Sequence, residues 1–291
     1  MAETDNAPLV WLIAGEPSGD LIGARLMRAL RAKTGGNIRI VGIGGDAMQA
    51  EGLTSLFPIT DIAIMGVVEI IHRIPLVKRR MRETINRIKA DRPDIVVSID
   101  VPGFCYEVWK GLRDSDIPLV HYVAPTVWAW RPGRAKKFAA ELDHLLALLP
   151  FEPPFFEKEG LACTFVGHPV LEGGADRGDG TAFRAVNGID PAAAVVCVLP
   201  GSRRGEVKRL LQVYGETLEL LSADMPDIVC VVPTVSTVAA RVEEATRSWP
   251  FRTVVLRGAS EKYDAFAAAD LALATSGTVT VETAFADLPT I

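Results

Sequence analysis

The sequence predicts an α/β protein built of two doubly wound parallel-sheet domains facing a central cleft, the second domain incomplete. Three observations predict it. Short apolar runs rich in Val, Ile and Leu recur along the chain, as strands buried on both faces of a parallel sheet require. Most of these runs break into a glycine turn that opens onto a helical pattern. The stretch Gly173-Gly174-Ala175-Asp176-Arg177-Gly178-Asp179-Gly180 is rich in glycine and charge and divides the runs into two sets. The first domain is therefore expected over 1–172 and the second over 173–291. A chain of 291 residues, 49% hydrophobic, can bury two such cores.

Charge and cysteine content narrow the function classes. The net charge is -5 and no long basic face exists, which argues against a nucleic-acid partner. Cys105, Cys163, Cys197 and Cys230 form no CxxC pair and read as small core residues in a reducing compartment. Leu9 to Ala14 is too short for a signal peptide or a membrane span, so a cytoplasmic protein is expected, with surface attachment left open.

Leu9 to Ala14 is the first buried strand. Gly15-Glu16-Pro17-Ser18-Gly19-Asp20 follows, then a helix carrying Leu21, Ile22, Leu26, Met27 and Leu30. This turn is not the dinucleotide fingerprint. Its acids suit helix capping, and they suit hydrogen bonding to sugar hydroxyls. Ile38 to Ile43 is a second strand, a short helix lies around Met48, and Leu53 to Phe57 reads as a third strand. Ile62 to Ile71 is apolar around Met65-Gly66, and Pro75 is expected to open the next helix. Between Arg73 and Lys89 stand seven Lys or Arg and one acid, Glu83. That helix suits an anionic membrane surface or a solvated face packed on the sheet.

Ile95 to Ile99 is a strand with Asp100 at its carboxyl end, where open parallel sheets bind ligands. Asp100 is a general-base candidate, or an N-cap for the following helix. Ile117 to Val123 delivers His121 and Tyr122 to the same edge. The loop 124–134 then holds Trp128 and Trp130 between two prolines, a rigid and partly exposed element that could stack on a sugar, cover acyl chains or fold back on its own domain. Leu145 to Leu149 and Cys163 to Val166 complete the strands, with Glu152-Pro153-Pro154 in a turn between them.

In the second half, Val195 to Leu199 breaks at Pro200-Gly201 and leads into a helix with Val207, Leu210, Leu211, Tyr214 and Leu218 on one face. Gly201 admits a ligand to the backbone, and the free amides of the helix start favour an anion. Ser202 adds a hydroxyl donor and Arg203 a two-pronged phosphate grip. A diphosphate site competes here with an ordinary turn bearing surface arginines. Strands follow at Ile228 to Val232, Val254 to Leu256 and Leu271 to Ala274, with helices at Val238 to Ser248 and Tyr263 to Ala269. The last strand ends in Thr275-Ser276-Gly277-Thr278, a second hydroxyl-rich turn opening onto a helix. Ser276 and Thr278 can donate to phosphate. Glu282, one turn further on, can accept both hydroxyls of a ribose. The plainer readings are an N-cap for Ser276 and a solvated helix acid for Glu282. Leu288-Pro289-Thr290 looks like the start of another strand, so a C-terminal truncation is expected.

These motifs together resemble the lipid-A-disaccharide synthases, bacterial glycosyltransferases with two Rossmann-like domains of the GT-B type. The resemblance runs in order through Ala14-Gly15-Glu16-Pro17-Ser18-Gly19-Asp20, Gly42-Ile43-Gly44-Gly45 and Met65-Gly66-Val67-Val68-Glu69. It continues through His121-Tyr122-Val123-Ala124-Pro125-Thr126-Val127-Trp128-Ala129-Trp130-Arg131, Phe151-Glu152-Pro153-Pro154-Phe155 and Phe165-Val166-Gly167-His168-Pro169. It ends with Leu199-Pro200-Gly201-Ser202-Arg203, Ser276-Gly277-Thr278 and Glu282. Gly103 and Cys105 depart from the family pattern, which usually has an acid and an asparagine at those places.

The resemblance implies an inverting transfer from UDP-2,3-diacylglucosamine to 2,3-diacylglucosamine 1-phosphate, giving a β-1,6 disaccharide and UDP for lipid A biosynthesis. Asp100 would be the base. Gly201, Ser202, Arg203, Ser276, Gly277 and Thr278 would hold the diphosphate, and Glu282 the ribose. Glu16, Ser18, Gly19, Asp20, His121 and Trp128 would shape the acceptor and sugar side. The Ile62 to Met81 region and the tryptophan loop would meet acyl chains at the cytoplasmic face of the inner membrane. No cofactor and no metal is expected, and a homodimer is compatible with the sequence. The alternatives are another UDP-GlcNAc enzyme of the same architecture, such as a 2-epimerase or the muramyl-peptide glucosaminyltransferase, a non-catalytic UDP-sugar-binding module, or an inactive fragment of a synthase.

Overall fold

In a computed structural model the described residues are 7–62, 67–202, 204–235, 237–258 and 261–291, with 67–72 described by their backbone alone. The chain forms two compact units, Met1–His168 and Pro169–Ile291.

The first unit alternates strands and helices. Its strands are β1 (Leu9–Ala14), β2 (Arg39–Ile43), β3 (Ile95–Ile99), β4 (Leu119–Tyr122), β5 (His144–Ala147) and β6 (Ala162–Phe165). Its helices are α1 (Pro17–Lys33), α2 (Asp46–Ala50), α3 (Val67–Asp91), α4 (Pro102–Leu112), α5 (Arg134–Ala139) and α6 (Pro153–Glu157). The strands are all parallel, in the order β2-β1-β3-β4-β5-β6. Strand periodicity explains the continuous apolar runs. Trp11 and Ile13 join a core with Ile88 of α3 and Val108 and Trp109 of α4. Val10, Leu12 and Ala14 join an opposite core with Ala24 and Met27 of α1 and Met48 of α2. Each strand therefore feeds both faces, and polar alternation has no place in it.

The second unit follows the same rule with α7 (Gly180–Val186), β7 (Val195–Leu199), α8 (Arg204–Asp224), β8 (Val229–Thr234), α9 (Ala239–Thr246), β9 (Arg252–Arg257), α10 (Lys262–Ala268), β10 (Leu271–Ala274) and α11 (Thr278–Phe285). The parallel order is β10-β7-β8-β9. Val196 and Val198 pack with Val207 and Leu211 of α8, and Val195 with Phe183 of α7 and Ala265 of α10.

Both sheets have a topological switch point. In the first, the chain leaves β1 for β2 on one side and returns to β3 on the other. Ala14 is paired with Ile99, so the turns after β1 and β3 emerge side by side. In the second, β8 lies on one side of β7 and β10 on the other, with Ala274 paired to Leu199.

Three expectations are corrected. Leu53 to Phe57 forms no strand; only Ser55 makes an isolated bridge, to Gly42. The Ser55 hydroxyl donates to the Phe57 carbonyl at 2.6 Å and accepts from the Gly44 amide at 3.1 Å, local bonds that compete with a ladder. Pro75 does not open a helix but lies inside α3, where it removes one N–H from a long ladder. Glu152-Pro153-Pro154 is not a plain turn, because the prolines start α6, where a missing N–H costs nothing. The glycine-rich stretch 173–180 packs within the second unit: a Cβ on Gly178 or Gly180 would collide with the Tyr263 or Ala267 carbonyl of α10. Leu288-Pro289-Thr290 contributes one parallel bridge, from Thr290 to Ala272.

Candidate active site

At the switch point of the second sheet, the turns after β7 and β10 line a cavity of about 600 Å³. Gly201 has φ +101°, a conformation that L side chains rarely adopt, and a Cβ there would stand 2.5 Å from Oε2 of Glu206. Ser202, Ser276, Gly277 and Thr278 line the same cavity. Ser276 is not the N-cap of α11; Gly277 is, and it has no side-chain cap bond. The first turn of α11 therefore lines the cavity with its positive end and without a side chain capping its amides. Arg203 lies outside the described residues. Thr234 and Thr275 also line the cavity, and their hydroxyls are buried with no partner among the described residues. A buried hydroxyl left in that state marks a wall suited to a polar ligand.

Glu282 is not a solvated helix acid. Its side chain is 15% exposed, and Oε1 accepts from Lys262 Nζ at 2.7 Å and from the Tyr263 hydroxyl at 3.2 Å. Lys262 and Glu206 line the cavity as well, and sequence reasoning missed both. Lys262 opens a short helix twenty residues before Glu282, a spacing that carries no local signal.

The switch point of the first sheet carries Asp100. Asp100 and Val101 both have left-handed backbone, φ 55° and 47°. The Asp100 amide donates to the Tyr122 carbonyl at 3.0 Å. Its Oδ1 accepts from the Val101 amide at 2.9 Å, and its Oδ2 from the Ser18 hydroxyl at 3.4 Å. Asp100 is not the N-cap of α4, a position held by Val101. Gly19 allows α1 to approach this turn: a Cβ would sit 3.2 Å from the Ile99 carbonyl. Glu16 is the N-cap residue of α1 by backbone conformation, with no side-chain cap bond. Ser18 and Gly19 therefore stand beside Asp100.

Two residues of this side, Asp20 and His121, are held in the fold of the first unit. Asp20 is buried, and its carboxylate accepts from the amides of Gly45 (2.7 Å), Ala47 (2.9 Å) and Met48 (3.1 Å). It caps α2, not its own helix. His121 belongs to the core. It is fully buried, its Nδ1 lies 2.8 Å from the Ser98 hydroxyl, and its ring packs edge-on to Trp109 and Phe138. Burial lowers its pKa to about 3, which keeps the ring neutral, and its Nε2 is buried with no partner among the described residues. Cys105, at one of the positions that depart from the family pattern, is also fully buried, and its thiol donates to the Asp100 carbonyl at 3.5 Å. Burial pushes that thiol well up.

The tryptophan loop is partly exposed, as expected. It lies between left-handed Val123 and Arg131, with Trp128 44% and Trp130 60% exposed. The Arg131 guanidinium stacks on Trp130, and Trp128 meets Phe151 edge-on at 5.2 Å. Glu152, unremarked in the sequence as a charged group, is buried beneath this loop. It accepts from the amides of Leu148 and Leu149 and from the Trp128 side chain, and desolvation raises its pKa. Among the described residues no three of His, Cys, Asp or Glu are grouped so as to hold a metal ion.

The family profile of lipid-A-disaccharide synthetase matches residues 10–291. The lipid-A-disaccharide synthase of Rhodospirillum centenum is 55% identical over 285 residues, covering 97% of this chain and 71% of that protein. The synthase of Granulibacter bethesdensis is 47% identical, covering 98% and 72%. Among solved structures, the Staphylococcus aureus MnaA–UDP complex superposes with a TM-score of 0.68 at 10% identity, over 97% of this chain and 78% of that one. The UDP-GlcNAc 2-epimerase of Neisseria meningitidis bound to UDP-GlcNAc gives 0.65 at 11%, over 98% and 82%. These two likenesses concern the fold, which is that of GT-B enzymes with two Rossmann-like domains. On the profile and the close relatives, this chain belongs to the lipid-A-disaccharide synthase family, the glycosyltransferases of lipid A biosynthesis.

Proposed function

We propose that this chain joins UDP-2,3-diacylglucosamine to 2,3-diacylglucosamine 1-phosphate in one in-line displacement. The products are the β-1,6 disaccharide 1-phosphate and UDP. Asp100 takes the proton from the acceptor 6-hydroxyl as that oxygen attacks the anomeric carbon. The bond from that carbon to the diphosphate breaks, and UDP leaves with the electron pair. Inversion turns the α-linked donor into a β product. Gly201, Ser202 and Arg203, with Ser276, Gly277 and Thr278, hold the diphosphate and stabilise the charge that builds on it. Glu282 accepts from the ribose hydroxyls. The first unit is the acceptor side and the second the nucleotide side.

Glu16, Ser18 and Gly19 shape the acceptor side around Asp100, and Asp20 supports it only indirectly, by fixing α2. Trp128 and the apolar side chains near it meet acyl chains. Among the described residues no helix is long and apolar enough to cross a membrane. Attachment is instead peripheral, at the cytoplasmic face of the inner membrane, through α3. There Arg73, Ile74, Lys78, Arg79 and Arg82 are exposed. Residues 63–66 of the region assigned to the membrane lie outside the described residues.

The observation that carries this reading is the placement of the two motif sets. Each one sits at the switch point of its own sheet, the acid in one and a cavity wall of hydroxyls and a helix start in the other. Product analysis tests it. Incubation with both lipids should release UDP and the β-1,6 disaccharide 1-phosphate in equal amounts, with linkage read by NMR. An epimerised UDP-sugar, or binding without any product, would overturn the reading.

A further inference from the structure

We infer that Lys262 is a positioning residue that selects ribonucleotides by fixing the Glu282 carboxylate. The inference rests on the reading of Glu282 as the acceptor for the ribose hydroxyls. Both side chains line the cavity at the second switch point. Glu282 projects from α11 and Lys262 from the first turn of α10, so the 2.7 Å contact joins two helices across the cavity wall. The pair is largely shielded, with side chains 22% and 15% exposed.

The chemistry is specific. A glutamate has three side-chain torsions and, left alone on a helix, its two oxygens exchange freely. Here Lys262 Nζ and the Tyr263 hydroxyl both hold Oε1, while Oε2 accepts from none of the described residues. One oxygen is anchored, and the other is left for a donor on the ligand. A vicinal diol offers two such donors. The carboxylate is also a negative charge in a wall that takes a diphosphate. An ammonium at hydrogen-bond distance offsets that charge without removing the acceptor. A phosphate grip ignores the sugar hydroxyls, and Glu282 is the carboxylate of this wall with an oxygen free to accept from a diol, held in orientation by Lys262.

The test is calorimetric titration of the full chain with UDP and with 2′,3′-dideoxy-UDP. Because the readout is the ratio of the two affinities, a general loss of structure or of phosphate attraction cancels. The wild type should favour UDP by about tenfold or more, the worth of a hydrogen bond to a charged group. Lys262→Met should bring the ratio to within about threefold, and Lys262→Arg should restore most of it. Lys262→Gln, which keeps a neutral donor and serves if the methionine variant does not fold, should fall between them. Glu282→Gln should also collapse the ratio. If Glu282→Gln collapses it and Lys262→Met leaves it at the wild-type value, the positioning role is refuted while the ribose reading stands. If neither variant moves it, the ribose reading fails and this inference with it.

Discussion

Asp100 and Val101 hold consecutive left-handed conformations without glycine. Each such residue costs on the order of 1–3 kcal/mol. The turn is kept by the Asp100 amide bond to Tyr122 and the Cys105 thiol beneath it. Strain of this kind at a strand end, on an acid, is consistent with a carboxylate aimed for use. His121 makes the opposite point. It is buried neutral, with a pKa of about 3 against an ordinary 6.5, so the unfolded chain binds more protons between those values. Stability should therefore rise with pH across that window and be lost as pH falls below 6.5. The slope should approach about 1.4 kcal/mol per pH unit at the acid end. Denaturant unfolding of His121→Gln at pH 5 and pH 7 checks this: the variant should lose less stability on acidification than the wild type, and an equal loss would contradict it. The place of Asp100 at a strand end was legible because it directly follows a buried apolar run. The burial of His121 was not drawn from the sequence although its parity was available. It alternates with buried Leu119 along β4, and period two puts both on the inner face. Asp20 was misread because its amide partners lie twenty-five to twenty-eight residues away, on another helix.

Helices explain most of what the sequence hid. A Pro usually marks a helix start, yet Pro75 lies inside α3, since a long helix tolerates one lost bond. On α3, Arg80 is committed inward. It pairs with Asp61 and Glu83 and stacks on Phe57, and those partners raise its pKa further. Lys78, Arg79 and Arg82 are exposed instead. They, and not Arg80, are the residues to test for membrane attachment. Reversing these three to Glu should weaken sedimentation with vesicles containing anionic lipid at least tenfold, at about 1 kcal/mol for each cation near the surface. Added salt should weaken the wild type in the same direction. Undiminished binding by the triple variant would remove α3 from the attachment surface. The strands were more legible than the helices, because parallel-sheet burial writes an unbroken apolar run that needs no partner to be recognised. The α6 helix is so short that its prolines read as a turn, and the Glu152 buried before it read only as part of that turn.

At the scale of the whole molecule, one rule of parallel sheets accounts for the placement of the chemistry. In each unit the first strand lies inside the sheet, with neighbours added on both sides, and the motifs occupy the turns where the order reverses. The glycine and hydroxyl turns of the second unit and the acid turn of the first were legible because each follows a recognisable strand. Which turns come together was not, because strand order depends on packing rather than on sequence neighbours. In the proposed reaction Asp100 performs the proton transfer and takes no part in nucleotide binding. The most direct measurement is disaccharide formation by Asp100→Asn under saturating substrates, with UDP affinity measured on the same sample. Asparagine keeps the size of the side chain but cannot act as the base. The expected result is a fall in turnover of about a hundredfold or more with the UDP dissociation constant unchanged. Near-normal turnover, or a loss of UDP binding that matches the loss of rate, would contradict the account.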